Sequence, residues 1–354
     1  MKILKNYKIL TVFLVMQWAF IKLIAQYPSK IENFYSNGIY NIISAILQFV
    51  FGWIPFSIGD LIYILIGILI VVEVSNLFRR KIGVKKFIFK SFAFLSVLFF
   101  VFNFNWALNY FRIPINEKIG FENNSYSETD LIKTTEILIN KTNNIHNQLV
   151  NNNSLLFTTN LTKKEIRANV NNVYTNFYKT YPISEERNYT IKKSLFSLPL
   201  TYMGFAGYLN PFTNEAQINH LIPVNNYPAT VSHEIAHQAG IAPESEANFI
   251  GFLACSTSAN KTFKYSGYIL ALRYCLNELR FTNKIVYHNL LAKINSGIIK
   301  DYERSAAFWQ LYQNRSEKYF KWFYDSFLKL NQQEEGIESY NKMVPLLINY
   351  YKYK

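Results

Sequence analysis

At 354 residues, half of them apolar and 17% aromatic, with a net charge of +14, the chain has room for one large or two ordinary domains. The charge suggests nucleic acid, but residues 1–110 carry eleven Lys/Arg against three Asp/Glu and account for +8 of it. The remaining +6 is spread over the rest without a basic stripe, so no nucleic-acid partner is expected.

The apolar excess lies in residues 1–110, which read as a membrane region with three transmembrane helices at about 9–25, 56–78 and 87–107. The first run, Ile9–Leu23, follows Lys2, Lys5 and Lys8. No small-x-small cleavage site comes after it and Lys22 interrupts its end, so it reads as a retained helix rather than a signal peptide. Ile31–Trp53, of mixed polarity, reads as an amphipathic helix, interfacial or partly inserted. Arg79, Arg80, Lys81, Lys85, Lys86 and Lys90 cluster around the loop between the second and third runs. The positive-inside rule makes that loop and the N-terminus cytoplasmic, and three spans then put everything beyond about Tyr110 outside.

Residues 111–354 form the expected outer domain. Asn109–Ile115 reads as an extended connector, because Pro114 disfavours helix before it. A helix is predicted over Ser127–Val150, opened by Ser127-x-x-Asp130, and another over Lys163–Lys179, where Thr162 and Glu165 form a capping box. Lys193–Asn210 mixes glycine, proline and aromatics without a helical period and reads as one or two bent strands, with Gln217–Pro223 as the next strand. From Pro243 onward the pattern is helical: Glu244–Ser258, Tyr265–Arg280, Ile285–Ile294, the aromatic-rich Tyr302–Leu330 and Ile337–Tyr350. The aromatic density of 302–330 suits core or membrane-interface packing. Cys255 and Cys275 lie in apolar helical surroundings and are expected as buried free thiols. The fold class is thus mainly α, with N-terminal transmembrane helices followed by an α+β domain holding a small sheet.

One motif carries chemistry. Residues 233–237 read His-Glu-Ile-Ala-His in a chain with only five histidines, so chance is a poor explanation of the spacing. On a helix, His233 and His237 project from one face and can share one Zn²⁺, while Glu234 leaves about 100° round and can accept a proton from water at the metal. Gln238-Ala-Gly240 offers a helix stop and Pro243 the start of the next helix, whose first carboxylates, Glu244 and Glu246, are candidates for a third ligand.

His-Glu-Ile-Ala-His followed by Glu-Ser-Glu-Ala-Asn-Phe resembles the HExxH and Glu-x-x-Ala-Asp/Asn elements of zincins. That resemblance implies Glu244 as the third ligand and Asn248 as a residue supporting a ligand histidine, with Glu246 as the alternative ligand. It also implies an edge strand beside the motif helix, best matched by Gly204–Asn210, with Gly204, Gly207, Thr213, Glu215 and Asn219 as possible cleft residues. Tyr265, Arg273 and Tyr340 are candidates for stabilising an oxyanion, and no spacing argument selects among them. The three apolar runs, the Asn-Tyr-Phe-Arg-Ile-Pro connector, the two metal elements, Tyr-Ser-Gly-Tyr at 265–268 and Gly-Ile-Glu-Ser-Tyr at 336–340 together resemble a bacterial domain-of-unknown-function family, number 3810, over nearly the whole chain. The resemblance implies a membrane-anchored, zincin-like protein of the bacterial cell (inner) membrane. The expected function is a zinc-dependent metallopeptidase acting on a peptide or protein outside the cytoplasm. The alternative is a non-catalytic membrane scaffold whose outer domain a structural metal staples.

Overall fold

The computed structural model describes residues 2–121, 125–183, 187–331 and 333–353. Regular structure among them is mainly helical, with one small mixed sheet of three strands. The chain divides into two units, Met1–Ile113 with Leu209–Glu215, and Pro114–Tyr208 with Ala216–Lys354.

In the first unit, α1 (Lys2–Ile24), α3 (Ile58–Phe78) and α4 (Val84–Asn105) contain three stretches long and apolar enough to cross a membrane: Asn6–Ile24, Ile58–Phe78 and Val84–Asn105. Their apolar side chains, such as Val15, Ile68, Val71 and Leu95, face outward, as lipid-contacting helices require. These three helices make the chain membrane-anchored. Polar contacts tie them together: Gln17 Nε2 donates to Ser96 Oγ at 3.0 Å, and Lys90 pairs with Glu73. Residues 31–51 are helical as expected, but begin as a π-helix (Ile31–Ile39) before α2 (Tyr40–Phe51). Tyr35, Tyr40 and Ser44 face inward while Phe34, Ile42, Ile46 and Phe49 are exposed. The connector departs from expectation. Ala107–Phe111 is a 3₁₀ turn, and only the residues around Arg112 and Pro114 are extended. Arg112 forms a buried two-pronged pair with Glu32, Nε to Oε2 at 2.8 Å and Nη2 to Oε1 at 2.7 Å, which fixes the end of that turn.

In the second unit, α5 (Glu128–Asn147) opens with the reciprocal Ser127/Asp130 capping box. Thr162 and Glu165 do the same for α6 (Lys163–Ala168), and a break at Asn169 separates it from α7 (Val170–Thr180), where a single helix is predicted. The 193–210 stretch is corrected most. β1 is Ile191–Lys193, then Ser197–Met203 is a short helix, α8, and only Gly207–Asn210 is strand, β2. Pro199 falls in the first turn of α8, where its missing N–H costs nothing, so the proline does not break a helix here. β3 spans Glu215–Ile218, earlier than the predicted 217–223. The sheet order is β1-β3-β2, with β1 parallel to β3 in the register Ile191↔Ala216 to Lys193↔Ile218, so β2 is an edge strand.

The remaining elements are helices: α9 (Tyr227–Gln238), α10 (Glu244–Thr257), α11 (Lys261–Thr282), α12 (Lys284–Leu291), α13 (Ser296–Leu311), α14 (Glu317–Leu330), a 3₁₀ stretch (Gly336–Lys342) and α15 (Met343–Lys352). The helical pattern expected over 302–330 is divided between α13 and α14. α10 is the central rod, packed against both α9 and α11, with Phe249, Ile250, Phe252, Leu253 and Cys255 fully buried. Gly251 lets α10 approach α9, since a Cβ there would lie 3.0 Å from the His233 backbone nitrogen. Cys255 and Cys275 are buried and free.

Candidate metal centre

The motif occupies the last turns of α9. At four-residue spacing the His233 and His237 rings stand nearly perpendicular with centroids 4.6 Å apart. Glu244, the first residue of α10, points its Oε2 at both, 3.2 Å from His233 Nε2 and 3.4 Å from His237 Nε2. Those separations match the edge of a tetrahedron, about 3.3 Å, around an ion whose bonds to nitrogen and oxygen are roughly 2.0–2.1 Å. Glu244 Oε2 is buried and has no hydrogen-bond donor. A buried carboxylate oxygen facing two imidazole nitrogens fits a divalent cation that accepts N and O ligands.

Local sequence explains the convergence. Gly240, at φ +85°, ends α9 in a Schellman turn, with Gly240 N bonded to His237 O and Ile241 N to Ala236 O. The reversal brings Ile241 O to 2.8 Å from His237 Nδ1, which makes Nδ1 the protonated nitrogen and directs the Nε2 lone pair at the centre. Pro243, in an extended conformation, is the N-cap of α10 rather than part of its first turn, and delivers Glu244 directly. Tyr324 of α14 donates to Glu244 Oε1 at 2.7 Å, and the Glu244 backbone N–H donates to Gln333 Oε1 at 3.2 Å.

Electrostatics follow from burial and proximity. Burial opposes ionisation of Glu244, but the two histidines outweigh it and hold its carboxyl well below the usual range. Burial alone would depress His237; Glu244 and Glu234 overcome it and raise His237 to about 9. His233 is lowered, by burial and then by His237. Glu234 is pushed up to about 8, chiefly by burial. Its ligand atom lies within 4.8 Å of those of both histidines, and its Oε2 is buried without a partner. Glu234 also rests against β2: a Cβ on Gly207 would lie 2.5 Å from its Oε1.

The other predicted residues divide. Asn248 stands beside His233 and its amide donates to Tyr274 Oη at 3.1 Å. Glu246 points elsewhere, accepting the Ile115 N–H at 3.2 Å, so Glu244 is the carboxylate at the histidines. Gly207 borders Glu234, whereas Gly204 is the left-handed cap of α8. Thr213 and Glu215 do not act as cleft residues. Glu215 accepts the Ile58 and Gly59 N–H groups and the Thr213 hydroxyl, capping α3 within the first unit. Asn219 is also structural, its amide bonding Thr201 Oγ1 and Phe205 O. Tyr265 commits its hydroxyl to Asp301 Oδ2 at 2.5 Å, and Arg273 is exposed with its guanidinium over the Tyr274 ring. Neither is brought to the histidines. Tyr340 meets Glu244 and lies 3.3 Å from Tyr324 Oη, so it supports the Glu244 carboxylate. Tyr324 and Gln333 escaped the sequence reading. Tyr324 is hidden among aromatic neighbours, and only its pairing with Glu244, 80 residues away, singles it out.

The second unit is thus a helical domain with a small mixed sheet and a buried His/Glu cluster, in a chain that also carries a membrane anchor. The family described as protein of unknown function (DUF3810) matches residues 35–348, and the chain belongs to it. No curated protein and no solved structure matches the chain.

Proposed function

We propose that this chain is a membrane-anchored zinc metallopeptidase with a zincin-like site, whose second unit faces the outside of a bacterial cell membrane. The observation that carries the reading is the convergence of His233 Nε2, His237 Nε2 and Glu244 Oε2, with the Glu234 carboxyl beside them against an edge strand. Zn²⁺ held by His233, His237 and Glu244 would supply Lewis acidity towards water and a peptide carbonyl. Glu234 takes a proton from the attacking water and returns it to the departing amine nitrogen as the C–N bond breaks. β2 offers an extended substrate a strand to run beside, and Gly207 keeps that strand close to Glu234. Asn248, Tyr324 and the Ile241 carbonyl orient the ligands.

Three protein ligands with a carboxylate beside them form an open, catalytic arrangement; a structural zinc is usually closed by four ligands, often including cysteine. Both cysteines are engaged elsewhere, Cys255 with Ser232 and Cys275 with Thr135. The test is metal content and peptide hydrolysis by the purified full chain. About one zinc per chain, and hydrolysis abolished by a chelator and restored by zinc, is expected; hydrolysis indifferent to chelation contradicts the reading.

A further inference from the structure

α14 presents two opposite faces. Leu328 is fully buried and Tyr324 turns inward to Glu244. On the other side Tyr319, Trp322, Phe323 and Leu330 are 64%, 70%, 67% and 80% exposed. Their positions i, i+3, i+4 and i+11 fall on one stripe of the helix. A second apolar stripe adjoins it: Leu195, Leu198 and Tyr202, on and just before α8, are also exposed. The two elements are joined by Asn314 Nδ2 donating to Tyr202 O at 2.7 Å and by edge-on packing of Tyr202 on Tyr312. Lys318 and Lys329 flank the α14 stripe, Lys318 over the Tyr319 ring and Lys329 paired with Asp325.

Tryptophan, tyrosine and phenylalanine beside lysines are the composition of a helix lying at the headgroup level of a bilayer. The chain itself supplies that bilayer. Its third membrane-crossing stretch ends at Asn105 and the second unit begins at Pro114. Eight residues span at most roughly 30 Å even when fully extended, so the second unit is permanently tethered within reach of a lipid surface. We propose that the outer faces of α14 and α8 seat on the membrane that anchors the chain, with Trp322, Phe323 and Leu330 in the boundary between headgroups and acyl chains. Because the inner face of α14 carries Tyr324, one element joins the lipid-seated face to the Glu244 carboxylate. Substrate segments lying close to the membrane surface are then the ones presented to the site; this last consequence alone rests on the peptidase reading.

The test uses the full chain in nanodiscs of phosphatidylethanolamine and phosphatidylglycerol. Phe323→Cys and Leu330→Cys are spin-labelled singly, with Lys164→Cys as an exposed control; Cys255 and Cys275 are fully buried and stay unlabelled. Labels at 323 and 330 are expected to be several-fold more accessible to dissolved oxygen than to a water-soluble chromium oxalate complex, with the reverse at 164. The pattern is expected to persist after chelation, which separates this outcome from that of the metal site. Water-like accessibility at both 323 and 330 overturns the proposal. So does spin–spin broadening at these sites, which would assign the face to a second copy of the chain.

Discussion

Gly207 and Glu234 are packed so closely that a single added methyl would collide with the carboxyl: a Cβ at 207 would stand 2.5 Å from Oε1 and 2.8 Å from Cδ of Glu234. The strand offered to substrate and the proposed proton acceptor are therefore coupled by contact. Gly207→Ala should displace Glu234 and, because the same Cβ would lie 2.7 Å from the Gln217 carbonyl oxygen on β3, shift β2 as well, while His233, His237 and Glu244 stay in place. A misplacement of about 1 Å at a reacting group costs on the order of a hundredfold in rate. Zinc content near wild type with hydrolysis reduced at least tenfold is expected; full activity in Gly207→Ala would show that the contact does not matter.

Glu244 and Glu246 lie two residues apart and do different work. Glu244→Ala removes the carboxylate shared by both imidazoles and should abolish high-affinity zinc binding. Glu246→Ala should keep the zinc and lose the bond to the Ile115 N–H, worth roughly 1 kcal/mol of stability. Tyr324→Phe removes the donor to Glu244 Oε1 and should weaken zinc binding about 10- to 100-fold. Competition with a chelator of known affinity ranks all three. Zinc retained by Glu244→Ala but lost by Glu246→Ala would reverse the assignment.

Much of the fold and of the candidate site was legible in the sequence because it is local. Ser127/Asp130 and Thr162/Glu165 form their capping boxes where the spacing predicts them, and Gly240 stops α9. The three apolar helices follow from length and composition alone. The features hidden from the sequence depend on distant partners. Glu215 looked like a cleft acid because it precedes the motif helix, yet it caps a helix more than 150 residues earlier. Tyr265 looked available, but Asp301 lies across the fold to receive its hydroxyl. Pro199 argued for strand, yet a proline in the first turn of a helix leaves every later hydrogen bond of that helix intact. Periodicity cannot show which tyrosine of an aromatic run turns inward, so Tyr324 emerges only once α14 is packed against Glu244.

The pH dependence has a defined sign. His237 is raised to about 9 from an ordinary value near 6.5, so in the metal-free protein the folded state holds a proton that the unfolded chain releases between these values. That contribution to stability is complete below about pH 6.5 and is lost as pH rises towards 9. Glu234, raised to about 8 from 4.5, acts in the same direction over the window from 4.5 to 8, because ionising it while buried is unfavourable. Zinc binding must displace the His237 proton and so strengthens with pH. The Tm difference between zinc-loaded and chelated protein should therefore widen from pH 6.5 to 9, and zinc binding at pH 7.5 should release protons in calorimetry. A constant Tm gap with no proton release would contradict this.

Orientation is tested independently of chemistry. The lysines and arginines from Arg79 to Lys90 lie in and around the loop between the second and third apolar helices, predicting a cytoplasmic loop and an outer second unit. Asn152→Cys, in an exposed turn of the second unit, should react with an impermeant thiol reagent in intact cells. Lys81→Cys should react only after the membrane is opened. The opposite pattern would put the site on the cytoplasmic side.

The central claim concerns Glu234, and replacing it with glutamine tests that claim most directly. Glu234→Gln preserves size and shape but cannot accept the proton, and loss of a general base costs on the order of a hundred- to ten-thousandfold. Zinc content and hydrolysis are measured together on wild type, Glu234→Gln and His233→Ala full-length chains. Glu234→Gln should bind zinc like wild type and hydrolyse peptides at least a hundredfold more slowly, while His233→Ala loses both metal and activity. A Glu234→Gln chain that binds zinc and cleaves at the wild-type rate would contradict the peptidase account.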